Sequence, residues 1–414
     1  MFLVIDIKNI ILFVAISISL FTNAQVDEKI YNSKTKVVRK AGNKAFKKGD
    51  FYGATAYYDK FLIEKDTVIK RNGIFVGWHQ NIQVKYQYKL AESYRLTRDY
   101  LKSERLYMIV FEAKPKKYLK SQFYLAQMQM MSGKYQKAKN NFTQFKDEYK
   151  DPSDSSKYKE IVKLYLKSCN IAPEILEDTL DIRVFHPDNN VNKSHVELSP
   201  FPLNDSILLF SSLRSDTLVY RNIEDSLSGA PSRKFYVAKK ENDSTWINLD
   251  EYADGWFNLE DTENGNGCFN LDSSRFFFSR GIRNVKGKLI FHLYYSDRED
   301  DRAWGEPIKM SSKINSKNFH STQPAIGWDL EKQVPLLYFV SNRTKGSRGG
   351  WDIWFSEFDS NKNEWKTPKN GGNQINTILD EMSPRYNIET KTMYFSSQGW
   401  PGLGGFDIFK TKGE

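Results

Sequence analysis

Few residues of this sequence have the types and spacing that catalytic or metal chemistry requires. None of the five histidines lies near a serine, cysteine or paired carboxylate at the spacing of a known catalytic motif; they stand at positions 79, 186, 195, 292 and 320. The Gly-x-Ser-x-Gly elbow, the Walker loop, the His-Glu-x-x-His helix and the Cys-x-x-Cys pair are all absent from the sequence. We therefore expect a protein that is not an enzyme and that binds no metal and no cofactor.

One acidic cluster, Asp297-Arg-Glu-Asp-Asp301, has the charge of a calcium loop. It lacks the glycine at which such a loop turns around the ion. We interpret the cluster as the solvated tip of a hairpin.

Two loops near the C-terminus share a Gly-Gly-x-Asp pattern, and they span residues 341–352 and 397–407. Glycines of this kind allow a positive φ in a tight reversal, and the aspartates can accept hydrogen bonds from backbone amides of the turn. We therefore expect a structural role for Gly349, Gly350, Asp352, Gly404, Gly405 and Asp407.

From about residue 175 the chain consists of short alternating strands that repeat every ~60 residues. Trp304 and Trp365 each begin a Trp-x-x-Pro segment and are 61 residues apart, and Trp246 precedes Trp304 by 58. A buried strand recurs at 207–212, 275–279, 337–341 and 392–397, and a third strand follows it at 235–237, 293–295, 352–355 and 407–409. This pattern predicts a β-propeller over residues 175–414, with four four-stranded blades or more if the chain continues.

The first residues of the β half resemble the last repeat. Asn192, Glu197 and Pro200 have the same spacing as the set that is listed last here: Asn376, Glu381 and Pro384. We therefore expect an outer strand at Ile182–Phe185 that completes the last blade and closes the ring.

Three stretches of the first half match one another. In each, an aromatic residue is followed three positions later by a small residue and four positions after that by another aromatic residue; the sets are Phe51, Ala54 and Tyr58, then Tyr100, Ser103 and Tyr107, then Tyr135, Ala138 and Phe142. The pattern predicts a solenoid of helical hairpins of the tetratricopeptide (TPR) type over residues 25–172. We expect a last helix over residues 157–170 that Pro173 ends, and a groove for a protein partner; the candidate contact residues are Tyr94, Arg95, Arg98 and Lys120.

The N-terminal 24 residues combine Lys8, an apolar run and Ala24 before the expected cleavage point. This order is typical of a secretory signal peptide, and an uncleaved anchor helix is the alternative. We expect export to the periplasm and a mature chain without a transmembrane segment.

The sequence has only two cysteines, Cys169 and Cys268. We expect free thiols, with a single interdomain disulfide as the alternative. The charge is unevenly distributed, since residues 25–170 hold 31 lysines and arginines against 15 acidic residues, whereas acidic residues predominate in the β half. The basic half predicts an anionic partner or a solvated lysine-rich surface, and the acidic half argues against nucleic acid.

The Ser-x-Arg and Gly-Gly-x-Asp-Ile segments of the 341–352 loop resemble TolB-like (PD40, WD40-like) propeller repeats. A signal sequence, a TPR stack and such a propeller together resemble a periplasmic family of the PorE kind, whose members are associated with the outer membrane and with type IX secretion and gliding. Those members continue into an OmpA-like domain, for which this sequence has no counterpart.

The resemblance implies a non-enzymatic periplasmic scaffold whose partners are outer-membrane proteins. The alternative is a propeller that binds an envelope glycan or peptide in its channel. A hydrolase that uses propeller loops is a third hypothesis, because a propeller can bring catalytic groups together from distant blades.

Overall fold

The structure is a computed structural model that describes residues 26–72, 77–177, 186–193, 197–214, 232–242, 245–252, 256–259, 262–283, 288–299 and 304–412. The expected signal peptide and the expected strand Ile182–Phe185 lie outside these residues. The chain divides into two units, one that extends to Val162 and one that begins at Lys163 and holds the β half.

The first unit is helical, and each helix from α2 to α7 packs against the next one along the chain. Its helices are α1 (Glu28–Tyr31), α2 (Thr35–Lys48), α3 (Phe51–Asn72), α4 (Gly77–Leu96), α5 (Tyr100–Ala113), α6 (Lys120–Met131), α7 (Tyr135–Glu148) and α8 (Ser155–Glu177), of which the last continues into the second unit.

The small residues of the sequence pattern lie at the centres of these helix pairs. Ala54, Ser103 and Ala138 are fully buried, as are the aromatic residues four positions later. Gly42 has the same purpose on α2, because a Cβ there would lie 2.8 Å from a ring carbon of Tyr58. Close helix approach therefore depends on small residues at these positions.

The last helix is longer than the sequence predicts. Helix α8 continues through Pro173 to Glu177, so the expectation that Pro173 ends it is wrong. A proline inside a helix removes one backbone hydrogen bond, and the remaining bonds continue the helix on both sides. Within the second unit Ser168 accepts a buried hydrogen bond from the Gly402 amide at 3.3 Å.

The second unit is a four-bladed β-propeller. Its blades are β1–β4 (Leu198–Asn204, Ile207–Ser212, Lys234–Lys240, Trp246–Glu251), β5–β8 (Glu263–Phe269, Arg275–Arg283, Leu289–Asp297, Ile308–Lys309), β9–β13 (Ser321–Asp329, Val334–Ser341, Asp352–Asp359, Glu364–Trp365, Lys369–Asn370) and β14–β16 (Glu381–Asn387, Thr392–Ser397, Asp407–Lys412). All consecutive strand pairs are antiparallel. The four buried strands and the four third strands that the sequence predicts are all present.

A buried asparagine holds the third strand of each of the first three blades. Asn258, Asn315 and Asn376 each accept from one backbone amide of that strand at 2.8 Å and donate to the carbonyl of the same residue at 2.8–3.0 Å. Each asparagine thus replaces a backbone partner that a further strand would otherwise supply.

The arginine of the Ser-x-Arg motif is also structural. The guanidinium groups of Arg214, Arg280 and Arg343 donate to the carbonyls of Val191, Phe257 and Ile314, each of which precedes an asparagine of the repeat. The fourth blade has a tryptophan instead, and the indole Nε1 of Trp400 donates to the Ile375 carbonyl at 2.9 Å.

The innermost strand of each blade carries a bulge at a residue with positive φ. These residues are Ser199, Asn266, Gln323 and Ser383, with φ of 50–53°. Their side chains join neighbouring blades, and the Arg385 guanidinium lies 4.5 Å above the Phe201 ring between the fourth and first blades. The ring of blades therefore closes around polar contacts.

Both cysteines are buried free thiols, as the sequence predicts. Among the residues that the structure describes, no helix combines the length and apolarity needed to cross a membrane.

Candidate functional site

A cleft of about 380 Å³ lies between the second and third blades, and we name it the tryptophan cleft. Its walls come from the β5–β6, β9–β10 and β11–β12 turns and adjacent strand ends, which lie at one end of the blades because antiparallel strands alternate in direction. It is lined by Asn270, Leu271, Asp272, Ser274, Arg275, Phe277, Asp297, Ile326, Trp328, Pro335, Phe358 and Trp365.

The β5–β6 turn that forms one wall is fixed by its own hydrogen bonds. Asn270 Oδ1 accepts from the Arg275 amide at 2.9 Å, and Asp272 Oδ1 accepts from both the hydroxyl and the amide of Ser274 at 2.6 and 3.0 Å. The Ser274 hydrogen bonds lower the pKa of Asp272, so its carboxylate stays ionised at neutral pH. The turn therefore presents its polar atoms to the cleft in a preformed arrangement.

An ion pair forms the base of the same wall. Arg275 Nε and Nη2 donate to the two carboxylate oxygens of Asp297 at 2.5 and 2.9 Å. The guanidinium also lies 4.2 Å from the centre of the Tyr295 ring. A planar pair of this kind has a fixed orientation and retains donor and acceptor capacity at its edges.

The opposite wall is aromatic. Trp365 meets Phe358 edge to face at 5.1 Å and lies 6.1 Å from Phe277, so the orientation of its ring is set by packing. Trp328 is half-buried, and its indole Nε1 lies 3.4 Å from the Gln333 side-chain oxygen. Both indoles combine a broad apolar face with restricted motion.

This combination suits a ligand with apolar faces and many hydroxyl groups. Sugar rings present C–H groups on their faces, which pack on indoles, and hydroxyls at their edges, which bond to planar carboxylate, amide and guanidinium groups. A preformed cleft with aromatic walls and a few fixed polar groups is the general form of a small-molecule site.

The sequence repeat identified Trp365 only as a marker of the outer strand, and it identified neither the β5–β6 turn nor Trp328. The available signal was the Asn270-Leu-Asp-Ser-Ser-Arg275 segment, in which polar turn residues directly precede an arginine at a strand start. No motif marks that combination, because the cleft is assembled from three turns that are distant in sequence.

The acidic cluster at Asp297 does not form a calcium loop in the part of the chain that the structure describes. Asp297 ends β7 and is paired with Arg275 rather than fully solvated. Among the described residues no group of three or more potential metal ligands is brought together.

The channel of the propeller offers less room for a ligand than the alternative hypothesis assumed. The residues at its innermost strands bond to one another: Ser199 donates to Asn266, Asn266 donates to Thr322 at 3.4 Å, and the Ser383 amide donates to Gln323 at 2.6 Å. These polar groups therefore already have partners.

The Gly-Gly-x-Asp aspartates organise their own loops. Asp352 is fully buried and accepts from the amides of Arg348 and Gly349 at 2.6 and 3.0 Å, and Asp407 accepts from the Gly404 amide at 3.1 Å. Gly404 and Gly405 have positive φ.

Gly349 and Gly350 are needed for a different reason from the one expected, since neither has a positive φ. A Cβ would lie 1.9 Å from the Leu379 carbonyl oxygen at Gly349 and 2.5 Å from Asp380 Oδ1 at Gly350. Close backbone approach, rather than a left-handed conformation, explains these glycines.

The four candidate partner contacts are separated by the helical fold. Tyr94 is buried and donates its hydroxyl proton to Asp59, and Arg98 lies in the turn that precedes α5. Arg95 and Lys120 lie instead along one row of tyrosines. Arg95 is 4.4 Å from the Tyr124 ring centre and donates to Glu92 at 2.8 Å, and Lys120 donates to Asp154 at 2.5 Å.

Comparison with models of protein families returns no match, and neither does a search of curated proteins. Solved structures do match. RS223-Beta-xylosidase is 12% identical, with 49% of this chain and 71% of that chain covered and a TM-score of 0.32. Penicillium chrysogenum α-L-arabinanase complexed with arabinobiose is 14% identical over 49% and 56%, with a TM-score of 0.30. An N-acetylgalactosamine deacetylase from F. plautii in complex with blood group B trisaccharide is 10% identical over 56% and 69%, with a TM-score of 0.31.

These matches contradict two expectations from the sequence, namely a scaffold of an outer-membrane assembly and a protein that is not an enzyme. The proteins matched are glycosidases and a deacetylase. A motif search reads neighbouring residues, whereas a propeller assembles a site from separate blades, so the failure to find a motif was weak evidence. Similarity at this level does not assign an activity to the chain.

Proposed function

We propose that the propeller is a glycan-binding module whose ligand occupies the tryptophan cleft. The observation that carries the proposal is the placement of Trp328 and Trp365 opposite the Arg275–Asp297 pair in one cleft. The indoles would pack against a sugar face, and the fixed turn Asn270–Arg275 would bond to its hydroxyls.

The test is an array of envelope and plant oligosaccharides probed with the full chain, followed by calorimetric titration of the strongest ligand. Trp328→Ala removes one aromatic wall and should weaken binding about ten-fold, given the contribution of one aromatic contact plus its buried area. Trp256→Ala is the matched control, because Trp256 is an exposed tryptophan of the same propeller that does not line the cleft.

Failure of every oligosaccharide to bind would refute the proposal. Equal affinities for Trp328→Ala and the unsubstituted chain would place the ligand elsewhere. Release of reducing sugar during the same titration would show hydrolysis in addition to binding, and the hydrolase hypothesis would then gain its first direct support.

We also propose that the helical unit is a TPR-type solenoid, supported by the buried small residues and by the helix-to-helix packing along the chain. The resemblance to the periplasmic PorE kind and the export that it implies stay predictions. Fractionation of cells that produce the tagged chain would test them, since cytoplasmic retention would contradict both.

A further inference from the structure

A second cleft, of about 390 Å³, lies between the third and fourth blades, and we name it the lysine cleft. Trp328 lines both clefts, so the tip of the β9–β10 hairpin is the only structure between them among the lining residues. A ligand that extends past Trp328 from the tryptophan cleft therefore enters the lysine cleft.

The lysine cleft holds an excess of positive charge around one carboxylate. Glu357 is almost fully buried, and its oxygens lie 2.7 Å from Lys332 Nζ, 3.1 Å from Lys366 Nζ and 3.6 Å from Lys369 Nζ. Hydrogen bonds from Lys332 and Lys366 lower the pKa of Glu357 to about 2, against the opposing effect of burial. Three ammonium groups thus share a single negative charge at this wall.

The acidic residues of the cleft do not balance this charge where a ligand would lie. The Asp329 side chain is held in its own turn, where it accepts from the amides of Glu331 and Lys332 at 3.0 and 2.9 Å. Lys369 and Lys412 line the cleft and are exposed, and the Lys369 side chain is 68% accessible. Their ammonium groups retain donors for a further partner.

The aromatic wall of the lysine cleft is also present. Tyr338 and Tyr386 stack with their ring centres 6.4 Å apart. Gly327 makes this stacking possible, because a Cβ there would lie 2.6 Å from a ring carbon of Tyr338 and 3.1 Å from one of Tyr386. The cleft therefore combines an apolar platform for a ring with a cationic edge.

We infer that the two clefts form one groove for an acidic glycan, in which a neutral sugar ring occupies the tryptophan cleft and the carboxylate of a uronic acid binds the lysines of the lysine cleft. The same lysines already hold the carboxylate of Glu357, which shows that their geometry fits this group. The inference rests on the proposed glycan-binding function and adds the class of glycan.

The experiment compares uronic acid oligosaccharides with their carboxyl-reduced counterparts, which have the same linkages and no charge. A panel of galacturonate, mannuronate and glucuronate oligomers is titrated against the full chain. We expect the best acidic oligomer to bind about ten-fold more tightly than its reduced counterpart at low salt, and the difference to shrink as salt screens the charges.

The double variant Lys369→Gln and Lys412→Gln should lose most of this preference while it binds the reduced oligomer unchanged. Lys317→Gln is the control, since Lys317 is exposed and lines neither cleft. Equal affinities for acidic and reduced oligomers, or a preference that survives the double variant, would overturn the inference but leave the proposed function intact. Absence of binding to every oligomer, acidic or reduced, would count against the proposed function itself.

Discussion

The buried asparagine of each blade makes a quantitative prediction about stability. Asn376 is 1% exposed; its Oδ1 accepts from the Ile353 amide at 2.8 Å, and its Nδ2 donates to the Ile353 carbonyl at 2.8 Å and to Asn370 at 2.9 Å. Asn376→Leu preserves the approximate shape of the side chain and removes all three hydrogen bonds.

The cost follows from what each partner retains. The Ile353 carbonyl still accepts from the Gly371 amide at 2.9 Å, whereas the Ile353 amide is left buried without its acceptor. An orphaned buried donor costs about 1–3 kcal/mol, and each lost hydrogen bond about 1 kcal/mol, so we expect a loss of about 3 kcal/mol. For a domain of this size such a loss lowers Tm by roughly 6–12 °C.

Tryptophan fluorescence is the appropriate assay, because eight of the nine tryptophans belong to the β half. The control Asn318→Leu changes an exposed loop residue and should leave Tm nearly unchanged. Asn315→Leu should match Asn376→Leu, since the Leu293 carbonyl likewise retains a bond from the Met310 amide. The reasoning is refuted if Asn376→Leu shifts Tm no more than the control, or if the two buried variants differ by several kcal/mol.

Three further outcomes are expected. Burial raises the pKa of Glu381 to about 7, and because the unfolded carboxyl titrates near its ordinary value, the folded state binds the proton more tightly; stability should fall by about 3 kcal/mol as pH rises from 4 to 8, and a Glu381→Gln variant measured by denaturant unfolding should lack this dependence. Gly349→Ala should destabilise the propeller by more than about 2 kcal/mol because its Cβ meets the Leu379 carbonyl, whereas Gly372→Ala, which has positive φ but open space, should cost about 1 kcal/mol; thermal unfolding of both variants tests the comparison. Burial raises the pKa of Cys268 to about 12, so neither this thiol nor the buried Cys169 should react with a thiol reagent until the chain unfolds, and rapid labelling of the native protein would contradict the structure.

Much of the fold could be predicted from the sequence because its repeats encode packing. The tryptophan spacing and the buried strands recur with one period, so the blades could be aligned before any coordinates were known. The small residues Ala54, Ser103 and Ala138 likewise predicted helix contacts that the structure contains. Pro173 was misread because a proline lowers helix stability locally, and the rest of α8 determines whether the helix continues.

The candidate site could not be predicted, for a reason that lies in the blade itself. The connections between second and third strands carry the signatures that a repeat search detects, and these signatures are structural, since Asp352 and Arg343 bond to backbone groups of their own and neighbouring loops. Fixed in this way, that end of the blade must keep its sequence from copy to copy.

The turns at the opposite end have fewer such obligations. Each needs only an Asx-type start, which Asn204, Asp329 and Asn387 supply by accepting from a backbone amide two or three residues later. The remaining turn positions can differ between blades without loss of the fold, and Trp328 and Asp272 lie at or beside such positions. Chemistry that varies from blade to blade therefore belongs where the repeat is weakest, which is why the two clefts open at this end and why their ligand must be identified from geometry rather than from a motif.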